Sequence, residues 1–220
     1  MSIQAANEVP GFSLGYRAPA DPDTDKTVVE IVQARSYAIE THKVTTSDRY
    51  VLTMYRLPKT YAESQSGSAA APNKPAVHLQ HGLLDSSFTF ISNFRNKSLA
   101  YVLADAGFDV WLVLGFHLED MGLYDLPAFV NHILATTGRS TVSYVGHSEG
   151  TTQAFVGFSE NQEIAQKVDY LAALAPVAWT GHTTAEYFVA LAKENMDEMF
   201  LNLGFTSFLP HCSGATVFTT

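Results

Sequence analysis

The chain has a single cysteine, Cys212, so it can form no internal disulfide, and that thiol reads as buried or idle. Basic residues are scarce as well. Thirteen Lys and Arg against 22 Asp and Glu give a formal net charge of −9 and a pI near 5.2, with no basic run, which excludes a nucleic-acid partner. Long apolar runs are missing. The longest clean one, Leu171–Trp179, is about half of the ~20 residues a membrane-spanning helix needs, so no transmembrane segment is expected. Met1–Arg17 lacks the basic-then-apolar pattern of a secretory signal, and the chain as written is expected to start out in the cytoplasm. The histidines show no metal-ligand spacing, and neither a metal nor a cofactor is expected.

What is present is apolar and alternating. With 220 residues, 46% of them hydrophobic, the chain can bury one large α/β core, expected over residues 27–178. Residues 1–26, rich in Pro, Gly and Asp, read as a flexible lead-in, and a short helix can start at Thr27. Lys43–Thr46 and Tyr50–Leu57 around Ser47-Asp48 read as a hairpin. Thr60–Pro75 reads as a low-complexity surface loop without function. Ala76–Gln80 and Asp109–Leu114 are apolar strands, with Lys167–Leu174 as a later one. Between them, Ser98 caps a helix to Ala106 whose expected apolar face is Leu99, Val102, Leu103 and Ala106. A second helix opens at Asp125 and Pro127, with Leu126, Val130, Ile133 and Leu134 as its face, and stops at Gly138. Strands alternating with helices predict a mainly parallel sheet covered on both faces, whose ligands sit at the carboxyl ends of the strands.

The stretch with most chemical content is Gly146-His147-Ser148-Glu149-Gly150, a Gly-x-Ser-x-Gly pattern. It follows the β-branched run through Val145 and precedes a helical Thr151–Phe158. A strand that turns into a helix this abruptly strains its central residue, and glycines on both sides remove the Cβ atoms that would clash. Ser148 would then be a nucleophile at a helix amino terminus, where free N–H groups face a developing oxyanion. The alternative is a glycine-flanked turn with no chemistry. Upstream, the strand Ala76–Gln80 runs into His81-Gly82-Leu83-Leu84-Asp85, and backbone at such a strand end can supply a second oxyanion N–H, here from Leu83. His81 itself reads as a structural histidine.

Several of these stretches together resemble one family. His81–Ser87, Ser98–Leu112, Tyr124–Ala128, Tyr144–Ser148 and Ala173–Ala178 look like the acid lipases, the gastric and lysosomal type of α/β-hydrolase. Val29–Val32 and the hairpin after it also resemble that family's amino-terminal region. The resemblance implies an α/β-hydrolase fold and hydrolysis of triacylglycerols and sterol esters at a lipid–water interface. It assigns Ser148 as nucleophile and the backbone N–H groups of Leu83 and Glu149 as the oxyanion hole. It also implies a secreted or lysosomal compartment, which the sequon Asn96-Lys97-Ser98, a candidate glycosylation site at Asn96, would fit.

The chain departs from the family pattern in three places. Trp111-Leu112 continues into Val113–Met121 instead of the family's Gly-Asn-x-Arg-Gly and a longer aromatic-rich stretch, so a loop on the active-site face is expected to be missing. Glu149 stands where the family usually has Gln, and an ionised carboxylate there would oppose an oxyanion. Third, the family's acid and His follow two later strands, whereas each βα unit needs about thirty residues and the chain stops at Thr220. Residues 183–204 read instead as the first helices of a cap over 179–220, leaving an incomplete fold whose last strand, near Leu174, is an exposed sheet edge open to association. His182 and His211 are the histidines available after the nucleophile, and neither matches the catalytic position. Asp169, Glu186, Glu194, Asp197 and Glu198 are the nearby acids, and none is well placed.

Three functions compete at this point. The chain is a serine ester hydrolase of the acid-lipase type, weak or inactive for want of its acid and base. Or it is a non-catalytic lipid-binding remnant, or a soluble-ester or thioester hydrolase on the same fold.

Overall fold

The computed structural model describes residues 21–83, 85–114 and 121–179, with Gly181, Thr184 and Val189 beyond them. The expected cap helices, His182, His211, Cys212 and the Gly115–Asp120 junction lie outside the described residues. The turn at Asp21–Asp25 is tied to helix α1 (Val28–Ala34), because the Asp23 carboxylate accepts hydrogen bonds from Arg35 and Lys26. Thr27 caps α1 as expected. Its hydroxyl receives the Glu30 N–H while the Glu30 carboxylate receives the Thr27 N–H, which satisfies two of the donors a helix start leaves open.

Strands β1 (Glu40–Thr45) and β2 (Val51–Leu57) form the expected hairpin. Thr60–Pro75 is not simply a loop, because it contains helix α2 (Tyr61–Ser66). The signal was the Thr60-x-x-Glu63 capping box, outweighed in the sequence by the Ser and Ala run after it. Then come β3 (Ala76–Gln80), a short 3₁₀ turn at Ser87–Phe90, α3 (Leu99–Asp105) and β4 (Asp109–Val113). A π-turn at Met121–Asp125 leads into α4 (Leu126–Thr137), which ends at Gly138 in the left-handed conformation. Strand β5 (Val142–His147), α5 (Glu149–Glu160), the short α6 (Gln162–Gln166) and β6 (Val168–Leu174) complete the described elements.

Among the described residues six strands make one sheet in the order β1-β2-β4-β3-β5-β6. The pairs from β4 to β6 are parallel, and β2 joins the set antiparallel, so the hairpin is an appendix to a parallel core. Alternation along each strand splits the core into two layers. Val110 and Leu112 of β4, Val77 and Leu79 of β3 and Val145 of β5 face α1 and α3. Trp111, Val113, Ala76, Val142 and Tyr144 point the other way, into the buried side chains of α4 with Ala154 of α5 and Ile164 of α6. The central strands β3 and β4 are buried along their whole length, as a sheet covered on both faces requires.

One helix face differs from expectation. Leu99 and Leu103 of the expected face pack partly buried against the core, but the fully buried residues of helix α3 are Ala100, Tyr101 and Ala104, while Val102 is 44% exposed and Ala106 is exposed too. The small side chains at 100 and 104 let the backbone approach the sheet and leave room for the Tyr101 ring, so packing volume decided the face rather than summed hydrophobicity. Ser98 precedes this helix without a side-chain cap bond.

Candidate active site

The carboxyl ends of β3 and β5 lie side by side, with Gln80 paired to Gly146, so whatever follows the two strands meets at one edge of the sheet. After β5 the chain turns at once. Ser148 has φ 54° and ψ −118°, a backbone conformation that side chains rarely adopt, and α5 begins at the next residue. The strain is held from several sides. The Ser148 N–H donates to the Leu174 carbonyl at 2.9 Å, and the Ser148 carbonyl receives both the N–H and the hydroxyl of Thr151. The Tyr144 hydroxyl donates to the Gly150 carbonyl at 2.7 Å from beneath the turn.

The flanking glycines are there for space. A Cβ on Gly146 would stand 2.7 Å from the Gly150 carbonyl oxygen, and one on Gly150 would stand 2.7 Å from that of Gln80. Gly82 brings the loop after β3 onto the elbow, since a Cβ there would lie 2.8 Å from Ser148 Cβ and 3.4 Å from Oγ. Leu83, 41% exposed, follows directly, so the two candidate oxyanion residues, Leu83 and Glu149, flank the serine from two segments.

Burial sets the charges here. Partial desolvation pushes the Glu149 carboxyl above its usual range, and its Oε2 is buried with no hydrogen-bond partner. His81 is fully buried, its Nδ1–H donates to the Gly82 carbonyl, and burial holds the imidazole below its usual range. That is the behaviour of a structural histidine. A contact the sequence did not disclose joins the two segments: His147 Nδ1 lies 4.0 Å from Asp85 Oδ2. No local pattern announces it, because the partners belong to separate segments, Asp85 to the loop after β3 and His147 to the end of β5.

Other candidates are elsewhere. The Asp169 carboxylate accepts from the hydroxyls of Thr141 and Ser143, at the amino end of β5 and therefore at the opposite end of the sheet from Ser148. Asn96 sits exposed in the turn before α3. Glu186, Glu194, Asp197 and Glu198, like His182 and His211, lie outside the described residues. Among the described residues no group of three His, Cys, Asp or Glu is arranged to hold a metal, and no helix is long and apolar enough to cross a membrane.

A parallel core with helices on both faces and a strained serine between β5 and α5 defines an α/β-hydrolase. The Pyrococcus furiosus esterase Pf2001 shares the fold, with a TM-score of 0.56 at 18% identity over 80% of this chain and 64% of that one. Residues 28–94 match the model of the partial alpha/beta-hydrolase lipase region. Human lipase member K is 40% identical over 74% of this chain and 45% of its own length. Rat gastric triacylglycerol lipase is 35% identical over 90% and 54%, and human lysosomal acid lipase/cholesteryl ester hydrolase 36% over 78% and 47%. The chain belongs to the acid-lipase family, and it spans about half the length of the curated relatives it matches.

Proposed function

We propose that this chain carries the nucleophile and oxyanion side of a serine ester hydrolase site that acts on triacylglycerols or sterol esters. The observation that carries the reading is the conformation of Ser148, strained at φ 54° and pressed against Gly82. Ser148 Oγ attacks the ester carbonyl carbon, an Oγ–C bond forms, and the carbonyl electron pair moves onto oxygen. The backbone N–H groups of Leu83 and Glu149 receive that oxyanion. Its collapse expels the alcohol, and water then releases the fatty acid from the serine.

The serine proton needs a base, and the base needs an orienting acid. Neither role is assigned to a described residue in this reading, and a site left with only its oxyanion donors keeps a small part of the rate. The names of the gastric and lysosomal relatives support a secreted or lysosomal compartment. The outer side of β6, with Tyr170 65% exposed, is a candidate edge for association.

Assaying emulsified triacylglycerol beside a short soluble ester, with Ser148→Ala as control, tests this function. Turnover of the emulsion that disappears in the variant supports it. Turnover of the soluble ester alone would move the reading to a soluble-ester hydrolase, and lipid binding without turnover to a non-catalytic remnant.

A further inference from the structure

The loop after β3 touches the elbow on both sides of Leu83. On the near side Gly82 packs on Ser148, where a Cβ would meet Ser148 Cβ at 2.8 Å. On the far side Asp85 faces His147. Asp85 is itself fixed within its loop, because its Oδ1 accepts the Ser86 N–H at 2.7 Å and its Oδ2 accepts the Thr89 hydroxyl. His147 Nδ1 is buried and has no hydrogen-bond partner, and Asp85 Oδ2, 4.0 Å away, is the carboxylate that faces it, within ion-pair reach but beyond hydrogen-bond distance. His147 in turn cannot move independently of the nucleophile, since it is the last residue of β5 and immediately precedes Ser148.

From this bracket we infer that His147 and Asp85 are positioning residues, a clamp that fixes the loop carrying the Leu83 N–H against the nucleophile elbow. The inference rests on the oxyanion role proposed above for Leu83. The backbone N–H of an exposed loop residue stabilises an oxyanion only if its place is set before the charge develops. Gly82 alone sets one end of the segment. The Asp85–His147 contact sets the other, and neither residue need touch substrate to do so.

The test uses the full chain with Asp85→Asn, His147→Gln and the double variant. Asn keeps the acceptor for the Ser86 N–H while removing the charge, and because it also gives up the acceptor for the Thr89 hydroxyl, Thr89→Val is run beside it as the control for that bond. Two readouts are taken: the rate at which a fluorophosphonate probe labels Ser148, and amide hydrogen exchange of the peptide containing Leu83 and Asp85. Displacing one oxyanion donor costs ~100-fold or more when the donor is lost, so loosening it is expected to slow labelling about tenfold. Each single variant is expected to show that loss together with faster exchange at 83–86, and the double variant no further loss, because both remove one contact. Melting temperature serves as the control and should stay close to wild type.

Unchanged labelling and exchange in both single variants would overturn the clamp, as would losses that add in full in the double variant. If the wild-type chain takes no probe at all, it is the hydrolase reading that fails. The clamp is then decided by exchange alone, with faster exchange in the variants upholding it and equal exchange refuting it.

Discussion

Replacing Ser148 by Gly and, separately, by Ala isolates the strain at the elbow, because both variants lack the hydroxyl and only one keeps Cβ. A side-chain-bearing residue in a rare backbone conformation costs roughly 1–3 kcal/mol. Glycine gives part of that back, since it loses more conformational freedom on folding, by roughly 0.5–1 kcal/mol relative to Ala. At φ 54° and ψ −118° the strain is the larger quantity, so Ser148→Gly should be more stable than Ser148→Ala by about 1 kcal/mol. For a domain of this size that is about 2–4 °C in melting temperature, and urea denaturation should give the same sign. A coupled effect accompanies it. Gly82→Ala should be tolerated better on the Ser148→Gly background, which removes the 2.8 Å approach to Ser148 Cβ and leaves only the 3.0 Å approach to the His147 carbonyl oxygen. The sign makes the reasoning refutable: if Ser148→Ala is the more stable variant, the residue is not strained and the elbow has no stored cost.

Glu149 gives a pH prediction. Desolvation raises its folded-state pKa above the ordinary value near ~4.3, so it costs stability as pH rises through that value and its raised one, and its charge opposes an oxyanion over the same range. Glu149→Gln should therefore be more stable than wild type at neutral pH, with the advantage gone below about pH 4, and should lose any acid preference in activity; superimposable pH profiles would remove the idea. Glu63 works in the opposite direction. Burial pushes its carboxyl up, but Lys74 at 2.5 Å and the N–H groups of Thr60 and Ala71 outweigh that and hold it at about 2. Its contribution is present above pH ~4.3 and lost as pH falls towards 2, so Glu63→Gln should lower the melting temperature by a few degrees at pH 7 and by nothing near pH 2.

The sequence made the elbow legible because its requirements are local. Two glycines that must lack Cβ, a β-branched run before them and a helix after them are consecutive residues, and the positive φ of Ser148 follows from the pattern itself. The hairpin, the caps at Thr27 and Gly138 and the strands β3 to β6 were legible for the same reason. Strand order was not. That β2 pairs with β4 rather than β3 depends on contacts between distant segments. The face of α3 was read in part: Leu99 and Leu103 pack on the core, but Val102 does not, because hydropathy favours Val102 over Ala100 while close packing favours the smaller residue. Helix α6 was missed because five residues carry too little periodicity to register. At the site, Ser148 and the glycine after β3 were readable. The approach of Asp85 to His147 was not, because it is made only when the loop after β3 meets the end of β5.

The central claim is that Ser148 is a nucleophile held ready beside an oxyanion hole. Incubating the chain with a fluorophosphonate probe, followed by intact-mass and peptide mass spectrometry, tests it most directly. The account predicts one adduct per chain, on Ser148, that is absent from Ser148→Ala. An adduct on a different serine, or none at concentrations that label a competent serine hydrolase, would contradict it.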